Sequence, residues 1–274
     1  MGSEWFFVNG HSMHVQRSGD ASLPVVVFLH GFTGSTATWQ TIISLLEGKV
    51  HAVAIDLWGH GQSDIPENSS DYSMERQTED LEQLFSQLEL RKFTLVGYSM
   101  GGRTALGYAA SYPERIQQLV LESASPGLKT ASERSDRKER DAKLAERLLS
   151  EPLHDFMDFW GSLALFDSQK SLSERQQEAI RKERLSQDAQ GLANSLIGIG
   201  TGSQPSYWEL LSEQMYPVIL VTGSLDKKFE TIALEMKNLL PAVRHFSVKN
   251  AGHAIHVEKP EEFATIIDEL VKQK

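Results

Sequence analysis

Apolar and polar positions divide the chain into two strand-and-helix regions with a long break between them. In the first region short apolar runs recur: Val25-Val26-Val27-Phe28-Leu29, Ala52-Val53-Ala54-Ile55, Phe93-Thr94-Leu95-Val96 and Leu119-Val120-Leu121. Runs of this length, bounded by turn residues, read as buried strands. Strand and helix signals alternate from residue 25 to about 122, the mark of a parallel sheet. Ahead of them, Trp5-Phe6-Phe7-Val8 and Met13-His14-Val15-Gln16 flank Asn9-Gly10, a two-residue hairpin turn signal. From about Pro126 to Pro205 the strand signal vanishes. Residues 133–149 are charged and helical, stopped at Glu151-Pro152, and residues 154–160 and 173–185 are two further helical stretches. Residues 194–205 carry Gly198, Gly200 and Gly202 and read as a Gly-rich return. The strand pattern then resumes with Val218-Ile219-Leu220-Val221-Thr222-Gly223 and Val243-Arg244-His245-Phe246-Ser247-Val248. The expectation is an α/β fold: a mostly parallel central sheet with helices on both faces. Residues 1–125 and 206–274 would form the core, with a helical lid, 126–205, inserted in it.

The strand at residues 93–96 runs into Gly97-Tyr98-Ser99-Met100-Gly101-Gly102, and a helical stretch follows, stopped at Tyr112-Pro113. G-x-S-x-G between a strand and a helix is the setting of a nucleophile elbow, which lifts the serine hydroxyl above the sheet. A Gly-rich turn with a solvated serine is the plain alternative, so the rest of the chain must supply partners. On this fold they follow in the order serine, acid, histidine. Asp226 lies in a turn just past the strand at 218–223. His253 ends the small-residue loop Asn250-Ala251-Gly252-His253 after the last strand. His253 would take the Ser99 proton, and Asp226 would hold its tautomer. His256 ranks behind His253, and Glu122, at the end of another strand, is the reserve acid. Asp56 and His30 read as structural hydrogen-bonders. The Met100 N–H, at a helix start, and the Phe32 N–H, in the loop His30-Gly31-Phe32-Thr33-Gly34-Ser35, are the candidate oxyanion donors. These separated motifs, in this order, resemble the α/β-hydrolase superfamily over nearly the whole chain.

Composition narrows the picture. At 274 residues the chain suits one α/β domain with an insertion. It has no apolar run of transmembrane length, and its first residues lack the basic start and apolar core of a secretory signal. Without cysteine, disulfides and thiolate metal sites are excluded, and a cytoplasmic location is expected. A net charge of −10 argues against a nucleic-acid surface and would repel anions at long range. Yet residues 128–188 hold 12 Lys and Arg against 13 Asp and Glu, so any anion site must be built from local arginines.

Arg103 lies one helical turn past Ser99. Arg134, Arg137 and Asp141 share one helix face by three- and four-residue spacing. Charge runs are usually solvated, and that reading is kept for Arg140 and Arg147. Several strings together resemble a narrower family, the 2-succinyl-6-hydroxy-2,4-cyclohexadiene-1-carboxylate synthases of menaquinone biosynthesis. They are Gly97 to Arg103, Glu122-Ser123-Ala124-Ser125-Pro126-Gly127-Leu128, the Arg134/Arg137 helix, Phe159-Trp160, Arg184 ahead of Gly191-Leu192, and Asp226-Lys227-Lys228-Phe229. The resemblance implies a lyase that eliminates pyruvate, with Ser99, Asp226 and His253 as its triad. It implies Arg103, Arg137 and Arg184 as basic substrate contacts, with Arg181 the alternative to Arg184, and Tyr98 and Trp160 as aromatic ones. It implies no metal and no organic cofactor. A monomer acting on a small tricarboxylate, with no nucleic acid and no stable membrane association, is the expectation. An esterase or C–C bond hydrolase of the same fold, with Ser99 as nucleophile, is the nearest rival. A ligand receptor on this fold is a more distant one.

Overall fold

A computed structural model describes residues 2–272. Its sheet has eight strands: β1 (Gly2–Val8), β2 (His11–Ser18), β3 (Val25–Leu29), β4 (His51–Ile55), β5 (Phe93–Tyr98), β6 (Ile116–Glu122), β7 (Val218–Gly223) and β8 (Val243–Val248). They lie in the order β1-β2-β4-β3-β5-β6-β7-β8. β1 and β2 form the antiparallel hairpin expected at Asn9-Gly10, where both turn residues adopt positive φ (47° and 94°). β2 pairs antiparallel with β4, and every later pairing is parallel.

Helices α1 (Gln40–Leu45), α2 (Met74–Gln87) and α3 (Met100–Ser111) belong to the first strand-and-helix region. Then α4 (Ala131–Ser150), α5 (Leu153–Gly161), α6 (Glu174–Leu185) and α7 (Ala189–Ile199) stand between β6 and β7, in the stretch expected to be the lid. Helices α8 (Lys227–Lys237), α9 (Ile255–Glu258) and α10 (Pro260–Lys272) complete the core. Strand side chains alternate between faces, and each face builds its own core. Val27, Leu29, Leu95, Leu119 and Leu220 meet Leu84 and Phe85 of α2, Leu106 of α3 and Met236 of α8. Val26, Phe28, Val96, Val120 and Ile219 meet Ile42 of α1 and Phe263 and Ile267 of α10. A third cluster, with Leu148, Phe156, Met157, Leu192 and Leu196, sits within the lid. Among the described residues no helix is long and apolar enough to cross a membrane.

The stretch expected as a Gly-rich return differs from that reading. Residues 194–199 are the last turns of α7, and irregular backbone begins only at Gly200. Gly198 serves contact rather than flexibility: a Cβ there would lie 2.2 Å from the Ser69 carbonyl oxygen. The helix therefore lies against the segment of Ser69–Tyr72.

Candidate active site

β5 ends at Tyr98 and α3 begins at Met100, so Ser99 takes the whole change of direction, with φ 50° and ψ −105°. Such a conformation costs a non-glycine residue about 1–3 kcal/mol and persists only where the surroundings force it. The flanking glycines permit it. A Cβ on Gly97 would lie 2.4 Å from the Gly101 carbonyl oxygen, and one on Gly101 would lie 2.3 Å from that of Leu29. Strand, turn and the neighbouring β3 can close on one another only without those side chains.

The order read from the sequence becomes a hydrogen-bonded chain. His253 Nε2 lies 3.0 Å from Ser99 Oγ, and His253 Nδ1 lies 2.7 Å from Asp226 Oδ2. The carboxylate accepts from Nδ1–H, which leaves the Nε2 lone pair facing the serine hydroxyl. Asp226 is held in turn, because its Oδ1 caps α8 by accepting from the Phe229 N–H at 3.2 Å. Both members are buried, and the rings of Phe229 and Tyr98 pack against His253 at 4.7 and 5.4 Å.

The reserve pair forms its own contact. Glu122 is fully buried and accepts from both the backbone N–H and the Nδ1 of His256, each at 2.9 Å or less. His256 Nδ1 is thereby occupied by Glu122, and the Tyr98 ring packs against both histidines. His30 and Asp56 fit their structural reading. His30 accepts the Leu57 N–H at 3.0 Å, while Asp56 accepts from Thr36 N, Gln62 N and His14 Nδ1. His60 packs beside His30 and Phe32. Burial, then the neighbouring His30, pushes its imidazole down to about 3, so it stays neutral.

Met100 is the first residue of α3, so no helical carbonyl reaches its N–H. Phe32 stands in the loop after β3, where Thr33 is held at φ 66° and the Gly34 N–H closes a turn onto Gly31 at 3.0 Å. Both residues border the cavity into which Ser99 and His253 open, a space of about 380 Å³ between core and lid. Arg103 and Arg137 line it with Trp160, Leu196, Lys228 and Phe229. Arg103 donates to the Ile199 carbonyl at 2.7 Å and to Gln204 Oε1 at 2.5 Å, so no carboxylate neutralises it directly. Burial, then the charge of Arg137, pushes its guanidinium down to about 10, with the Asp141 carboxylate acting the other way, so it remains a cation at neutral pH. Arg137 leans on the buried Asp141 through Nε at 2.7 Å. Arg134, on the same face by spacing, donates instead to the carbonyls of Leu128 and Lys129. The Trp160 Nε1–H is buried and has no hydrogen-bond partner among the described residues.

Two expected substrate contacts lie elsewhere. Arg184 rests its guanidinium 4.5 Å over the Phe166 ring and donates to Gln169 Oε1 at 3.2 Å. It borders a smaller, separate cavity together with Tyr98. Arg181 pairs with Asp158 on the surface. Lys228 was not singled out in the sequence. It belongs to a Lys-Lys doublet, and only the start of α8 at Asp226 decides which lysine borders the cavity.

The pattern of the α/β hydrolase fold family matches residues 24–260. A Bacillus subtilis protein provisionally named 2-succinyl-6-hydroxy-2,4-cyclohexadiene-1-carboxylate synthase is 46% identical over 257 residues, covering 94% of this chain and 93% of that one. The Enterobacter protein named as the same synthase is 33% identical, with 93% and 95% covered. The solved structure of MenH from S. aureus superposes with a TM-score of 0.91 at 34% identity, covering 94% of this chain and 98% of that one. The matches run over nearly the whole chain, which belongs to the α/β-hydrolase fold family and, within it, to the 2-succinyl-6-hydroxy-2,4-cyclohexadiene-1-carboxylate synthases.

Proposed function

We propose that this enzyme eliminates pyruvate from 2-succinyl-5-enolpyruvyl-6-hydroxy-3-cyclohexene-1-carboxylate to give 2-succinyl-6-hydroxy-2,4-cyclohexadiene-1-carboxylate, a step of menaquinone biosynthesis. The observation that carries this is the unbroken chain Asp226–His253–Ser99, opening into a cavity that also holds Arg103 and Arg137. Ser99, relieved of its proton by His253, removes the ring proton beside the succinyl ketone. The resulting oxyanion rests between the N–H groups of Phe32 and Met100, preorganised for charge that develops only in the reaction. As the ketone reforms, the ring double bond shifts and the C–O bond to the enolpyruvyl group breaks. The proton held on His253 returns to the departing enolate, which leaves as pyruvate.

The substrate carries three carboxylates, and guanidinium forks suit them. Arg103 and Arg137 take two from the cavity wall, and the free indole N–H of Trp160 donates from the lid side. Tyr98 contributes through the ring of His253. Arg184 acts from behind Phe166. The chemistry needs no metal or organic cofactor, and neither triad nor cavity needs a residue from a second copy, which suits a monomer. A cysteine-free chain fits the cytoplasm, and its net charge of −10 disfavours nucleic acid.

The test is a coupled assay for pyruvate with mass spectrometry of the enzyme quenched during turnover. Pyruvate should appear, and Ser99 should stay unmodified. An acyl adduct on Ser99 would turn the assignment toward an esterase or C–C bond hydrolase.

A further inference from the structure

Glu183 sits on α6, in a stretch that reads as a solvated charged helix. Its Oε1 nevertheless accepts three hydrogen bonds from the core: from the Ser35 N–H at 3.0 Å, the Ser35 hydroxyl at 2.9 Å and the Thr38 hydroxyl at 2.7 Å. Ser35 lies three residues beyond Phe32, at the end of the loop that supplies the second oxyanion donor. That loop is strained. Thr33 is β-branched and stands at φ 66°, a conformation that survives only when its surroundings over-determine it. The core grips one side: His30 takes the Leu57 N–H, and Asp56 takes the Thr36 N–H. Glu183 grips the other side, from the lid. Gln187, next along the lid, accepts from the Gly61 N–H at 3.0 Å and donates to the Glu183 carbonyl at 3.2 Å, so it holds a different loop and touches Glu183 only at its backbone.

We propose that Glu183 is a positioning residue for the oxyanion hole: by clasping Ser35 and Thr38 it sets the Phe32 N–H over the reacting oxygen, so the hole is complete only when α6 is docked. This rests on the reading of Ser99, Phe32 and Met100 given above. A misplaced donor weakens charge stabilisation in the transition state while leaving ground-state contacts in place, so the effect belongs in kcat.

Three variants of the full chain test it: Glu183→Ala, Glu183→Gln and Gln187→Ala. Each is measured for kcat and KM of pyruvate release, for the rate at which a fluorophosphonate labels Ser99, and for thermal melting. Loss of one oxyanion donor costs about 10²–10³ in kcat. Displacing one should cost Glu183→Ala about ten- to a hundredfold, with KM within about threefold. Labelling, which uses the same hole, should slow in parallel. Glu183→Gln keeps an acceptor oxygen and should return within about threefold of the parent. Gln187→Ala should stay near normal. Parent-rate labelling of Glu183→Ala overturns the proposal, as does a Gln187→Ala variant equally slow or an effect confined to KM. Because labelling needs no natural substrate, slowed labelling of Glu183→Ala, in a protein that never releases pyruvate, supports the positioning role while overturning the proposed reaction.

Discussion

Replacing Asp226 with asparagine removes one charge and leaves almost everything else in place. Asn keeps an oxygen for the Phe229 N–H, and it is as good a helix cap as Asp, so α8 and the melting temperature should be unchanged. What changes is the 2.7 Å contact to His253 Nδ1. With the amide oxygen engaged by the cap, its NH2 faces the ring, and Nδ1 must become the acceptor. The Nε2–H then points at Ser99 and cannot take its proton. The wrong tautomer, together with the lost stabilisation of the imidazolium, should lower kcat by about 10³–10⁴, roughly 4–5.5 kcal/mol of barrier. The assay is pyruvate release coupled to NADH oxidation, with melting measured alongside. Glu122→Gln is the companion variant. It can still accept from His256, and it should keep kcat within about threefold because that pair is separate from the Ser99–His253 contact. A near-normal Asp226→Asn beside an inactive Glu122→Gln would refute the assignment of the acid.

Arg103→Ala and Arg137→Ala should each lower kcat/KM about ten- to more than a hundredfold, the loss of a charge-assisted hydrogen bond of about 1.5–3 kcal/mol, and lysine should rescue only partly. Arg184→Ala should lose less, about tenfold or under, because its guanidinium lies behind Phe166. Arg147→Ala, paired with Glu151 at the lid surface, should be neutral; steady-state kinetics on the four separates a charged cavity wall from general lid damage. Stability should fall on acidification below about pH 6.5, the unfolded histidine value. His60 is held down to about 3 when folded, so between those values the unfolded chain binds a proton that the native one does not. Burial lowers His30 in the same direction. Each group contributes a slope of up to about 1.4 kcal/mol per pH unit, and urea titrations of His60→Phe at pH 7, 6 and 5 should show one group's share removed.

The parts of the site carried by chain order and turn chemistry were legible from the sequence. Gly97 to Gly101 between a strand and a helix reads as a tight turn, and an acid and a histidine placed after later parallel strands come to the same ends of the sheet as Ser99. The competition between His253 and His256, or Asp226 and Glu122, turns on which acid each imidazole meets, Asp226 for His253 and Glu122 for His256. That becomes visible only once the strands are side by side. Spacing alone points to Arg184 in a helix with charges on every side, and Phe166, whose ring lies against its guanidinium, comes from a separate segment. Glu183 carried no signal, since a glutamate between Lys182 and Arg184 looks solvated until Ser35 is found against it. The end of α7 is hidden in the sequence because glycines that allow close packing look the same there as glycines that allow bending.

The lid's place in the chain also bears on how the enzyme folds. β3 to β6 pair with one another within one segment, and that segment carries Ser99 and the oxyanion loop. β7 joins the edge of that sheet beside β6 only after residues 123–217 have been looped out between them. Closing so long a loop costs chain entropy before the contacts it brings are made, which predicts a late docking of β7 and β8. Asp226 and His253 lie in the segments that follow those two strands, so Ser99 acquires its base only when the sheet is finished. Partly folded chains therefore hold the serine without the means to activate it.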